Sequence, residues 1–168
     1  MRAVLTVVVL CVAVATAVVV RDAPFWKQCD PRWGNEAVGN CTFTICESDG
    51  SVVSLAMYLS SVGYGFNPSK LNELLLANGM YTNDCKIYWE KLGYFGDAHI
   101  GDADFDAVVF LLSKKAGVFP IINNGTRFSF AVGYYTNKTV IINDPIGDRR
   151  TINWNNLKKC AILTPNSP

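Results

Sequence analysis

The sequence predicts an α+β domain: an N-terminal helical half packed on a C-terminal antiparallel sheet. Three observations carry this. Apolar residues recur at three- and four-residue spacing over residues 49–63, 68–78 and 105–115, the repeat of a helix with one buried face. From Val118 onward they fall instead into short runs rich in Val, Ile, Phe and Tyr, broken by turn residues, which is the pattern of strands; helices first and strands afterwards is the α+β order. At 168 residues, 50% of them hydrophobic, the chain has a single-domain length and enough apolar material for one core.

The first stretch reads as targeting rather than fold. Met1-Arg2 and the apolar, small-residue run to Val20, with Ala15-Thr16-Ala17 as an A-x-A site, predict a signal peptide over residues 1–17 and one domain over 18–168. A retained N-terminal anchor is the competing reading, because the run is nearly long enough to span a bilayer. The expected location is secreted or the secretory-pathway lumen. Cleavage after Ala17 removes Arg2, so Lys plus Arg falls from 15 to 14 against 14 acidic residues. A neutral mature chain offers no nucleic-acid footprint and no polybasic membrane patch.

Residues 21–46 are turn-rich and aromatic, with Phe25, Trp26 and Trp33 expected to fold over the domain and one short strand over 42–46. The central helix over 49–63 buries Val52, Leu55, Ala56, Leu59 and Val62, with Asp49 as its cap and Gly63 as its stop. Pro68 opens the second helix, Leu71, Leu74 and Leu75 share a face, and Asn78-Gly79 ends it. A helix is expected over 84–92, and a polar loop carrying His99 over 96–104. The third helix over 105–115 buries Val108, Val109, Leu111 and Leu112 and closes at Gly117. Strands are expected over 118–122, 128–135, 139–143, 149–153 and 161–163, with Thr136-Asn137-Lys138 as a tight hairpin.

With Cys11 in the signal segment, Cys29, Cys41, Cys46, Cys85 and Cys160 remain. In an oxidising compartment they allow two disulfides and one spare thiol or an intermolecular bridge. Sequence does not fix the pairing; Cys41 with Cys46 and Cys85 with Cys160 are candidates. A zinc site is discounted, since there is no C-x-x-C pair and the single histidine has no cysteine near it in sequence. No metal or cofactor is expected. N-x-T sequons at Asn40, Asn124 and Asn137 predict exposed loops and candidate glycosylation sites.

Ser51 stands at the first turn of the central helix, where unpaired N–H groups and the helix dipole favour negative charge. A nucleophile belongs in such a place. Gly50-Ser51-Val52-Val53-Ser54-Leu55-Ala56-Met57, one residue shorter before its second serine, resembles the helix of roughly G-C-x-x-x-S-x-A-M pattern in papain-fold cysteine peptidases of the bacteriocin-leader (double-glycine) peptidase-like type, with Gly50, Ser54, Ala56 and Met57 as the matching residues. Gln28-Cys29-Asp30-Pro31-Arg32-Trp33 is similar to that family's Q-x-D-P-x-W opening. Asn67-Pro68 with Leu71 resembles its N-P-x-x-L helix, and Asn143-Asp144-Pro145 its strand ending in D-P.

The resemblance implies a papain-like cysteine-peptidase fold and a triad that is altered at two places. Ser51 replaces the cysteine. Arg127, in Arg127-Phe128-Ser129-Phe130-Ala131-Val132-Gly133-Tyr134, occupies the histidine position of H-F-x-x-x-x-G-Y. An arginine stays protonated and has no acceptor, so it cannot be a general base. Asp144 keeps the third position, and Gln28 matches the oxyanion glutamine at a longer spacing than usual. Arg127 and Asp144 are expected to form a charge-assisted pair in place of the His–Asp couple. The bland alternatives are a small helix-start residue for Ser51, a turn residue for Asp144 and a solvated loop histidine for His99.

The function expected from these readings is a secreted, catalytically inactive peptidase-like protein that binds a peptide, protein or glycan in a degenerate cleft. Trp33, Tyr64, Trp89, Tyr94, Phe95 and Trp154 are candidate cleft walls or ordinary packing. Two other functions stay open: an active hydrolase, using either Ser51 with an unrecognised base or a relocated nucleophile such as Cys46 with His99, and a structural extracellular protein.

Overall fold

The computed structural model describes residues 16–19, 21–157 and 159–166; the expected signal segment, 1–17, lies almost wholly outside them. The elements are β1 (Ala17–Val19), α1 (Ser51–Ser61), α2 (Pro68–Ala77), β2 (Gly96–Asp102), α3 (Phe105–Ser113), β3 (Gly117–Ile122), β4 (Arg127–Phe128), β5 (Phe130–Tyr135), β6 (Thr139–Asn143), β7 (Arg149–Asn153) and β8 (Lys159–Pro165). The described strands form two antiparallel sheets, in the orders β1-β5-β6-β7 and β2-β8-β3-β4. The fold is α+β, as the periodicities predict. No described helix is long and apolar enough to cross a membrane.

Helix α1 is buried on nearly every face, from Ser51 to Leu59, because it packs against both α2 and the strands β3, β4 and β5. A helix apolar all round belongs at the centre of a core. Tyr58 extends from it to meet Phe119 and Phe130 edge-on, at 5.7 and 5.8 Å. Arg21 lies over the same ring, 4.9 Å from its centroid, and donates from Nη2 to the Ala116 carbonyl. Burial lowers the pKa of this guanidinium, but an arginine retains its proton regardless.

Asn72 on α2 is almost fully buried, and its amide makes three hydrogen bonds. It accepts from the Gly39 N–H and the Tyr81 hydroxyl and donates to the Ala37 carbonyl, fixing the irregular N-terminal segment to the hairpin that follows α2. Burial raises the Tyr81 pKa, so the phenol keeps the proton that it donates.

The structure departs from the expected elements at four places. Residues 42–46 form a single bridge, Ala37 with Thr44, and then a 3-10 turn at Ile45–Glu47. Residues 84–92 are not a helix. Tyr81 pairs with Ile87, Cys85 takes a left-handed φ of 54°, and a 3-10 turn begins only at Trp89. The polar loop with His99 is instead β2, held by seven register pairs with β8; a Gly- and Asp-rich strand is made by tertiary pairing that overrides local preference. The strand expected over 128–135 breaks at Ser129, whose N–H and hydroxyl both donate to the Pro120 carbonyl. There the chain leaves β3 for β6.

The cysteines pair as Cys29–Cys46 and Cys41–Cys85; the candidate pairs Cys41–Cys46 and Cys85–Cys160 are not formed. A hydrogen bond from the Cys46 N–H to the Gly34 carbonyl folds the N-terminal segment back so that Cys29 meets Cys46. The Asn72 contacts bring the 81–87 hairpin to Cys41. Cys160 is free and buried, since the central strand β8 sets it opposite Gly101 and Pro120. Burial, with a smaller contribution from Asp102, pushes its thiol up to about 12. Iodoacetamide at pH 8 is therefore expected to leave Cys160 unmodified in the folded protein and to carbamidomethylate it on unfolding without reductant. Rapid modification of the native protein, read by mass, would contradict the burial. Two disulfides suit an oxidising compartment.

Candidate functional site

The start of α1 is built by three neighbours. Gly50 is the N-cap with φ of 79°, a conformation that favours glycine. A Cβ there would stand 3.0 Å from the Phe128 carbonyl oxygen and 3.1 Å from Gln28 Oε1, so only glycine lets these chains approach. The Phe128 N–H donates to the Asp49 carbonyl at 2.8 Å, and the Gln28 N–H to the Pro145 carbonyl at 2.8 Å. The four positions picked out in sequence, Gln28, Ser51, Arg127 and Asp144, thus lie on segments that converge around Gly50.

Their side chains do not form a catalytic set. Arg127 reaches Asp144 at 2.8 Å, the pair expected from the sequence. Arg150 reaches the same Oδ2 at 2.8 Å, a partner that the sequence did not signal. Asp144 is wholly buried, and its Oδ1 accepts the Ile146 N–H. Two guanidiniums on one buried carboxylate are charge-assisted contacts of the strong kind, and they engage Arg127 with Asp144. Neither Arg127 nor Asp144 lines the cavity beside Ser51.

The groups that would stabilise an oxyanion are also occupied. Gln28 Nε2 donates to the Cys46 and Ser48 carbonyls at 2.9 and 2.8 Å, which leaves only its acceptor oxygen, unpartnered, toward Gly50. The Ser51 N–H donates to Asp49 Oδ1 at 2.9 Å. Gln28 is therefore a buried brace between the N-terminal segment and the 46–48 turn, not a free donor.

Ser51 lines a cavity of about 310 Å³ together with Val38, Phe43, Glu47, Asp49 and Lys86. Two further cavities, of about 390 and 260 Å³, share Asp49 and Lys86 with it. The three adjoin at these two residues, and we read them as one groove whose lining reaches from Phe43 and Ser51 to Trp89, Ile100 and Phe128. Among the described residues no hydrogen bond joins the Ser51 hydroxyl to a carboxylate, imidazole or amine. Lys86 pairs with Asp84 at 2.9 Å, and its pKa is raised by that hydrogen bond and, less, by Asp49. It stays an ammonium, which cannot take a proton from Ser51.

No family model, curated protein or solved structure matches this chain. The site is therefore read from its own geometry.

The remaining sequence candidates separate cleanly. Cys46 is in a disulfide and is no nucleophile. His99 is exposed on β2 and lines none of the three groove cavities. Of the aromatic candidates, Trp33, Trp89, Phe95 and Trp154 are buried, while Tyr64 and Tyr94 are exposed; only Trp89 also lines the groove. Asn40, Asn124 and Asn137 are all exposed, the last two within the turns that join β3 to β4 and β5 to β6. Among the described residues no group of three His, Cys, Asp or Glu stands together as a metal site.

Proposed function

We propose that this chain is a secreted, peptidase-derived domain of papain-like architecture that has lost hydrolysis and holds an extended peptide in its groove. The observation that carries the reading is the clamp of Arg127 on Asp144, at the strand position where a papain-type enzyme needs a base. Three further features support it. A helix start presents Ser51 to the groove, the oxyanion donors are engaged within the protein, and the groove runs open past apolar walls such as Phe43, Trp89 and Phe128. Clefts of this kind bind extended segments by wall contacts and backbone hydrogen bonds.

The test is peptide hydrolysis by the wild-type protein and by the double variant Ser51→Cys with Arg127→His. The wild type is expected to cleave nothing. The double variant regains a thiol at a helix N-terminus beside an imidazole, the arrangement that yields a thiolate near neutral pH, and is expected to cleave slowly. Its rate stays low because one missing oxyanion donor alone costs about a hundredfold or more. Wild-type hydrolysis that disappears in Ser51→Ala would overturn the proposal.

A further inference from the structure

The groove end beside Ser51 differs from the rest in charge. Of the ionic groups lining it, Asp84 and Lys86 neutralise each other. Glu47 and Asp49 form no salt bridge among the described residues; Asp49 acts on Lys86 only at longer range, as a minor contribution to its raised pKa. Both are held in place by backbone. Glu47 Oε2 accepts the Thr44 N–H and hydroxyl at 2.8 and 3.0 Å, contacts that lower its pKa, the backbone bond contributing most. Asp49 Oδ1 accepts the Ser51 N–H. Each carboxylate therefore keeps its second oxygen free for a ligand. Val38 and Phe43 supply apolar wall in the same cavity, whose 310 Å³ lies at the small end of the roughly 300–1,000 Å³ found for ligand pockets. That size suits one side chain.

Resting on the reading of the groove as a peptide-binding cleft, we infer that this cavity receives a basic side chain, arginine or lysine, of the bound segment. Aliphatic stem and charged head match the two kinds of wall. The stem lies along Val38 and Phe43, as such stems do on apolar surface, and the head meets the free oxygens of Glu47 and Asp49. An acidic side chain is repelled, and an apolar one leaves both carboxylates without a partner. Such charge complementarity sets selectivity more than total affinity.

Two substitutions remove charge and keep the local bonds: Glu47→Gln can still accept from Thr44, and Asp49→Asn can still accept the Ser51 N–H through its amide oxygen. The probes are fluorescein-labelled hexapeptide libraries with one position fixed as arginine, norleucine or glutamate, read by anisotropy. The arginine library is expected to bind about tenfold more tightly than the norleucine library, and the glutamate library most weakly. Each variant loosens the arginine library about threefold, in line with solvent-accessible ion pairs, leaves the norleucine library unchanged, and has less effect at high salt. Equal binding of the three libraries, or an arginine affinity unmoved by both variants, overturns this inference and leaves the binding cleft standing. Failure of all three libraries to bind overturns both.

Discussion

Replacing Cys41 and Cys85 together by alanine is expected to cost about 4 kcal/mol of folding stability. The bridge spans 44 residues, and closing a loop of that length in the unfolded chain is worth between the ~3 kcal/mol of a 15-residue loop and the ~4.7 kcal/mol of a 100-residue one. The bond also has a local task. It ties the 81–87 hairpin, which carries Asp84 and Lys86, to the segment before α1, and Cys85 itself lines the cavity beside Ser51. Tyr81 and Asn72 give that hairpin its other firm attachment. Urea unfolding should therefore show a lower midpoint together with weaker ligand binding at the groove. A loss below about 1 kcal/mol would mean that the bridge constrains little.

Asp144→Asn is expected to be the most damaging single change of charge, at about 3 kcal/mol. The substitution keeps the shape and the acceptor for the Ile146 N–H but strands Arg127, whose side chain is only 16% exposed. Removing one partner from a buried pair leaves an uncompensated charge, a loss of roughly 3–5 kcal/mol when both are fully buried. Arg150, at 45% exposure, can turn to water and lessens the loss. The reverse change, Arg127→Met, is expected to cost only about 1 kcal/mol, because Arg150 continues to satisfy Asp144. Equal losses from the two substitutions would show that the carboxylate is not the shared centre of the cluster.

The helices and most of the sheet were legible because their signals are local. Pro68 and Asn67 start α2 as their types dictate, with Asn67 Oδ1 accepting the Lys70 N–H, and Asp104 does the same for α3 by accepting the Ala107 N–H. Strand β2 was not legible. Its glycines and aspartates read as loop, and only β8, some sixty residues away, makes it a strand. The disulfide pairs were hidden for the same reason, since Cys85 reaches Cys41 through a hairpin set against Asn72.

At the site, the Arg127–Asp144 pair followed from the chemistry of the two side chains at matched positions. Arg150 did not, because its contact depends on how β7 lies beside β6. The occupation of Gln28 was equally out of reach. Which carbonyls its amide meets is decided by the 3-10 turn at Ile45–Glu47, where the sequence suggested a strand. Asp49 read as a cap and turn residue, and Glu47 carried no signal; that both line one cavity with Ser51 is visible only in three dimensions.

The central claim is that nothing activates the Ser51 hydroxyl. A fluorophosphonate probe reports this directly, because it phosphonylates a serine only where a base raises the serine's nucleophilicity. Incubated with the folded wild-type protein and mapped by peptide mass, the probe is expected to leave Ser51 unlabelled. Stoichiometric labelling at Ser51, lost when the protein is unfolded beforehand, would contradict the account.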